Sequence, residues 1–111
     1  MYPPPVPEIT VQELKALMDA DQTPLILDVR EEQEYAIAHL SGTLIPLRQL
    51  PNRLDELEEH KDALVVVHCH SGGRSAQAVQ YLRSLGFEHA KNLRGGVLAW
   101  SHEIDPSMPR Y

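Results

Sequence analysis

The stretch that most constrains the fold is a short β-branched apolar run, followed by a glycine-rich loop and then by apolar residues at helical spacing. Residues 64–67 read Leu-Val-Val-Val, the pattern of a strand buried on both faces. Beyond the loop, the apolar positions at helical spacing are Ala76, Val79, Leu82 and Leu85. The loop therefore lies where a buried strand ends and a helix begins, which predicts an α/β fold.

This loop combines a thiol with groups that bind anions. It holds Cys69, the only cysteine of the chain, followed by Gly72 and Gly73 and, at the start of the helix, by Arg74 and Ser75. Because glycine lacks a Cβ, backbone amides can turn inward there, and a helix N-terminus favours negative charge. We therefore predict an anion site with a nucleophile at its centre.

The reactivity of Cys69 depends on how much of it is thiolate. A free cysteine has a pKa of about 8.5, and a helix N-terminus lowers it by about one unit at most. We expect Arg74 and the converging amides to lower the pKa of Cys69 further, toward neutrality. The alternative is an inert buried thiol, since buried cysteines are common.

No metal and no other cofactor is expected at this loop. His68 and His70 flank Cys69 at a His-x-His spacing. With one cysteine and no other histidine cluster, however, four zinc ligands cannot be assembled locally.

Strand and helix patterns alternate along the rest of the chain. Thr10 and Glu13 form a capping box that predicts a helix over residues 11–20. A further helix, which includes Pro51, is predicted by the spacing of Leu47, Leu50, Leu54 and Leu57. Strands are predicted at residues 25–29, 43–46, 64–67 and 90–93, and helices at 31–38 and 97–104. Short strands alternating with helices favour a mostly parallel sheet.

Two charged residues lie at the carboxyl end of the strand predicted at residues 25–29. In open α/β sheets, function gathers at the carboxyl ends of strands, so Asp28 and Arg30 are candidate supporting residues near the Cys69 loop. The alternative is that they pair with each other and serve the structure only. His39 is expected to be a hydrogen-bonding turn residue rather than a catalyst.

Composition narrows the classes of function. The chain has 111 residues, enough for one domain. Its net charge of -6 argues against binding to nucleic acid or to an anionic membrane surface. No apolar run approaches the length of a membrane span. A single cysteine cannot form an internal disulfide, so we expect a reducing compartment, the cytoplasm. We expect a proline-rich arm at residues 1–7, a domain at 8–105 and a tail at 106–111.

Three motifs carry a resemblance to a known family. The loop Cys69-His70-Ser71-Gly72-Gly73-Arg74-Ser75 resembles the active-site loop of the rhodanese family of sulfurtransferases. Residues 27–31, with Glu-Tyr and His-Leu-Ser-Gly farther on, resemble the N-terminal signature of that family, and residues 95–100 resemble its C-terminal one. The resemblance spans residues 9–100 and implies a five-stranded parallel sheet with helices on both faces.

The resemblance implies that Cys69 is the catalytic nucleophile of a sulfurtransferase. Its thiolate would take the outer sulfur of a donor such as thiosulfate and become a persulfide, without a separate cofactor. Arg74 would orient the sulfonate of the donor. An acceptor would then remove the sulfur: cyanide in vitro, or a thiol or sulfur-carrier protein in the cell. The implied substrate-binding residues are those of the loop, His70, Ser71, Gly72, Gly73, Arg74 and Ser75.

Two other functions are weighed against this one. Cysteine-dependent phosphatases place five residues between cysteine and arginine, whereas four separate Cys69 from Arg74, which gives a ring of amides too small for phosphate. A non-catalytic, rhodanese-like interaction module is the second alternative.

Residues 100–106 also resemble the end of rhodanese domains fused to E1-like adenylyltransferases, which adds a carrier protein to the expected acceptors.

Overall fold

A computed structural model of the chain describes residues 5–110. The strands in this range are β1 (Glu8–Ile9), β2 (Leu25–Asp28), β3 (Thr43–Leu44), β4 (Val65–His68) and β5 (Ala90–Leu93). The α-helices are α1 (Val11–Asp19), α2 (Glu32–Ile37), α3 (Gly73–Ser84) and α4 (Gly96–Glu103). The strands form one sheet in the order β1-β5-β4-β2-β3, and every neighbouring pair is parallel. The predicted five-stranded parallel sheet is confirmed.

Apolar residues cover both faces of the sheet, because successive side chains of a strand point to opposite faces. In the central strand β4, Val65 and Val67 pack into a cluster with α3, whereas Val66 packs into a second cluster with α1 and α4. All three valines are fully buried. Helices therefore lie on both faces, as predicted, and β4 carries Cys69 just beyond its carboxyl end.

The segment after β3 differs from the prediction. It forms two short 3₁₀ helices, Leu47–Asn52 and Leu54–His60, instead of one continuous helix. Pro51 has no amide hydrogen to donate to a helical ladder, and leucines spaced by three residues suit 3₁₀ turns. Leu50 and Leu57 still point into the core and are fully buried. The spacing predicted these buried positions correctly, but the predicted type of helix was wrong.

The outer edge of the sheet next to β5 is formed by β1, which sequence patterns did not locate. Glu8 and Ile9 pair with Asn92 and Leu93. A strand of two residues has no readable periodicity. The Pro7 carbonyl also accepts a hydrogen bond from the Asn92 amide at 2.9 Å. Residues 1–4 of the predicted arm and residue 111 of the predicted tail lie outside the described residues.

Local signals in the sequence set the helix ends. The predicted capping box of α1 is present, with Thr10 and Glu13 bonded to each other's backbone amides. His39 is the expected turn residue, since its Nδ1 accepts a hydrogen bond from the Ser41 amide at 2.9 Å. Within residues 5–110, no helix combines the length and the apolar character that crossing a membrane requires.

Candidate active site

Cys69 directly follows β4, and its side chain lies next to the first turn of α3. The residue is buried, with 2% exposed, and hydrogen-bonding groups of the loop and of α3 surround the sulfur. The amides of Gly72 and Ser75 donate to Sγ at 3.1 and 3.4 Å, and the Ser75 hydroxyl lies 3.3 Å away. Gly72 has φ +124°, a conformation that side chains rarely adopt, so a glycine is needed for the chain to turn over the sulfur. Two amides of the predicted ring, those of Gly72 and Ser75, thus donate to the thiol.

The outer part of the loop faces solvent. His70 is half-buried, whereas Ser71 and Gly73 are exposed. Gly73 and Arg74 occupy the first turn of α3, where backbone amides have no carbonyl partner within the helix. Helix N-termini with such amides favour negative charge nearby.

Two backbone carbonyls of the loop accept hydrogen bonds from α4. The amides of Val97 and Leu98 donate to the carbonyl oxygens of Cys69 and His70, each at 3.0 Å. Gly96, with φ +58°, makes this approach possible, since a Cβ there would lie 2.4 Å from the Cys69 oxygen. Because its carbonyls are occupied on this side, the loop presents donors rather than acceptors to the thiol.

Asn92 is a residue of the site that the sequence reasoning missed. It is 3% exposed on β5, accepts a hydrogen bond from the Ser75 hydroxyl at 2.5 Å, and donates Nδ2 to the Gly72 carbonyl at 3.2 Å. It thus bonds to Gly72 and Ser75, two residues whose amides donate to Sγ. An asparagine inside a predicted buried strand was the available signal, because a buried polar side chain needs partners.

The thiol has the electrostatic character of a reactive cysteine. Burial raises the pKa of Cys69 and is the largest single effect. The contact with the Ser75 hydroxyl and the hydrogen bonds from the amides of Ser75, Gly72 and Ser71 lower the pKa, and together they outweigh burial, so it lies below the usual value. The direction and the effect of the amides agree with the prediction.

Arg74 is engaged by a residue that sequence reasoning did not assign to the site. Its Nη1 and Nη2 donate to Oε1 and Oε2 of Glu34 at 2.7 and 2.8 Å. Glu34 lies on α2, and this ion pair lowers its pKa to about 2. Its only sequence signal was its place in the Glu-Tyr motif. The guanidinium therefore faces a permanent carboxylate beside the loop.

Asp28 and Arg30 pair with each other beneath the loop. The Arg30 guanidinium donates to both Asp28 oxygens, with Nη2 to Oδ2 at 2.8 Å, and to the Ala38 carbonyl at 2.6 Å. Both residues are fully buried. Asp28 is in register with His68, the residue before Cys69. The pairing expected as the alternative is therefore present, and it lies next to the strand that leads to Cys69.

His68 lies fully buried beside this pair, with Nε2 3.9 Å from Asp28 Oδ2. Burial lowers the pKa of His68 to about 4, against an opposing effect of the Asp28 charge. The folded protein thus holds this imidazole neutral. Among residues 5–110, no three histidine, cysteine, aspartate or glutamate side chains are grouped closely enough to hold a metal ion.

We expect the free energy of unfolding to fall as the pH drops from about 6.5 to 4. In this window the unfolded chain protonates His68 and the folded chain does not, so acid favours unfolding, at a cost of about 3 kcal/mol for a shift of this size. Urea denaturation from pH 7.5 to 4 measures the loss. His68→Leu should flatten the slope, and His89→Gln, at an exposed histidine, should not. An unchanged slope in His68→Leu would contradict the assignment.

Comparisons with known proteins agree with this fold and loop. A family model described as a Rhodanese-like domain matches residues 10–103. The adenylyltransferase and sulfurtransferase uba4 of Ogataea parapolymorpha is 37% identical over 95 residues, or 85% of this chain and 24% of that protein. The putative sulfur carrier protein YrkF of Bacillus subtilis is 37% identical over 101 residues, or 90% of this chain and 54% of that protein.

Solved structures agree as well. A rhodanese-like domain protein from Staphylococcus aureus superposes with a TM-score of 0.80 and 31% identity, covering 94% of this chain and 97% of that one. The curated relatives are longer: the chain spans 24% of uba4 and 54% of YrkF.

Proposed function

The chain belongs to the rhodanese family of sulfurtransferases, and we propose that Cys69 carries sulfane sulfur as a persulfide between a donor and a nucleophilic acceptor. One observation carries the proposal: a thiol with a lowered pKa accepts amide hydrogen bonds at the N-terminus of α3, while the loop carbonyls are bonded to α4. Such a setting stabilises a sulfur anion.

In the first step, Cys69 thiolate attacks the outer sulfur of the donor. With thiosulfate, a sulfur–sulfur bond forms to Sγ, the bond between the two sulfurs of the donor breaks, and sulfite leaves with the electron pair. With a thiol persulfide, the leaving group is the thiol. The negative charge then resides on the terminal sulfur of Cys69, within reach of the first-turn amides of α3.

In the second step, the acceptor attacks the terminal sulfur and Cys69 thiolate returns. Cyanide becomes thiocyanate, and a thiol becomes a persulfide. An open depression of about 360 Å³ lies beside Ser71 of the loop, and we assign the approach of the acceptor to it; it is lined by Ser71, Gly95, Leu98, Ala99, His102 and Glu103. We include a sulfur-carrier protein among the acceptors because relatives are described as sulfurtransferase and sulfur carrier proteins. We place this exchange in a reducing compartment, the cytoplasm.

Intact mass spectrometry tests the proposal. The reduced protein should gain about 32 Da, one sulfur atom, on incubation with thiosulfate or a small thiol persulfide, and cyanide should remove the gain. Cyanide is the essential control, because oxidation to a sulfinic acid adds nearly the same mass and is not reversed by it. Absence of a cyanide-labile gain with both donors would favour a non-catalytic interaction module.

A further inference from the structure

The Arg74 guanidinium has a partner before any substrate arrives. Both of its terminal nitrogens bond to Glu34, at 2.7 and 2.8 Å, in a bidentate arrangement. Bidentate pairs of this kind are among the stronger hydrogen-bonded contacts in proteins, and they also match the geometry with which arginine binds a sulfonate. A sulfonate at Arg74 must therefore compete with Glu34 for the same nitrogens.

Glu34 is fixed in place rather than free to swing away. Its Oε1 also accepts a hydrogen bond from the Glu31 amide at 3.0 Å, at the start of α2. Its carbonyl lies 3.4 Å from Nη1 of Arg30, which ties α2 to the buried pair below the loop. The side chain is 19% exposed, against 38% for Arg74. Moving this carboxylate aside would break its bonds to the Glu31 amide and to the Arg74 guanidinium.

The positive charge of Arg74 and the negative charge of Glu34 beside the loop therefore cancel each other. Thiosulfate carries two negative charges and a sulfonate, so it meets a carboxylate where the lone guanidinium of the loop would otherwise attract it. The persulfide group of a thiol persulfide carries at most one negative charge and no sulfonate, so it needs no such clamp. The two donor classes should therefore respond differently to Glu34.

We propose that Glu34 is a specificity-determining residue that disfavours dianionic, sulfonate-bearing donors and leaves the site selective for thiol persulfides. The proposal rests on sulfur transfer through Cys69. It assigns to Glu34 an effect on donor choice, not a part in the chemistry at the sulfur.

The test compares kcat/KM for thiosulfate and for a small thiol persulfide, with cyanide as acceptor. Glu34→Gln should raise the value for thiosulfate about tenfold, since it removes one charge and weakens the hold on Arg74, and should change the value for the persulfide by less than about twofold. Glu32→Gln is the matched control: it removes the same charge from an exposed position two residues away and should shift neither value appreciably.

Variants made in the Arg74→Ala protein provide a second test, in case Glu34→Gln disturbs the packing of α2. Arg74→Ala leaves Glu34 unpaired beside the loop, so it should lower thiosulfate use more than persulfide use. Adding Glu34→Gln to Arg74→Ala removes that charge and should restore thiosulfate use several-fold. Equal changes for both donors, or no restoration in the double variant, would overturn the proposal while sulfur transfer itself stands. Failure of both donors to load Cys69 in the unaltered protein would overturn the sulfurtransferase function and this proposal together.

Discussion

Cys69→Ser is expected to lower sulfur transfer at least a thousandfold and to abolish the mass gain with every donor. A serine hydroxyl is far less acidic than a thiol, and an oxygen in place of sulfur cannot form a persulfide. The fold should persist, because the hydroxyl can accept the same hydrogen bonds from the amides of Gly72 and Ser75. Transfer rates, intact mass and a thermal melt on one preparation measure all three outcomes. Retained transfer in a correctly folded variant would refute the mechanism.

The opposite end of α3 offers a matched control for this variant. Ser84 is exposed in the last turn of the helix, where the dipole disfavours an anion. The double variant Cys69→Ser with Ser84→Cys therefore moves the single thiol from the N-terminal end of α3 to its C-terminal end, away from the amides of the loop. We expect it to transfer sulfur no faster than Cys69→Ser alone. Recovery of transfer would mean that any accessible thiol suffices.

Arg30→Met is expected to lower the free energy of unfolding by about 3–5 kcal/mol. The substitution leaves the Asp28 carboxylate buried without its guanidinium, and it also removes the donor to the Ala38 carbonyl. For a chain of this size, such a loss lowers the melting temperature by roughly 15 °C. Urea denaturation at pH 7.5 measures the effect.

Two further variants separate the buried charge from other causes. Adding Asp28→Leu to Arg30→Met removes the stranded carboxylate and should recover part of the loss, because an apolar pair can replace a buried ion pair. Arg48→Met breaks an ion pair with Glu31 that is largely exposed, and should cost less than about 1 kcal/mol. A similar small cost for Arg30→Met would contradict the structural importance of the buried pair.

The part of the site that lies within one continuous stretch was predictable from the sequence. The apolar run of β4, the glycines of the loop and the helical spacing of α3 are local signals, and they led directly to a thiol surrounded by amides. Asp28 and Arg30 were placed at the correct edge of the sheet for a similar reason, since parallel strands bring their carboxyl ends together.

The remaining parts come from elements distant in the chain. Glu34 reaches Arg74 from 40 positions away, and Asn92 reaches Ser75 from 17. Such contacts depend on strand order and on how a helix packs. Neither of these produces a periodic pattern of residues in a single sequence. The family resemblance supplied the fold, but assigned no partner to Arg74.

The bonds from α4 to the Cys69 loop also bear on when the loop takes its final form during synthesis. Synthesis proceeds from the N-terminus, so the thiol leaves the ribosome before Val97 and Leu98, which hold back its neighbouring carbonyls. A nascent chain can assemble much of the sheet and still lack the finished anion cradle. The loop is therefore complete only after the last helix has docked, and a chain that stops before Val97 lacks the amides that bond to the carbonyls of Cys69 and His70.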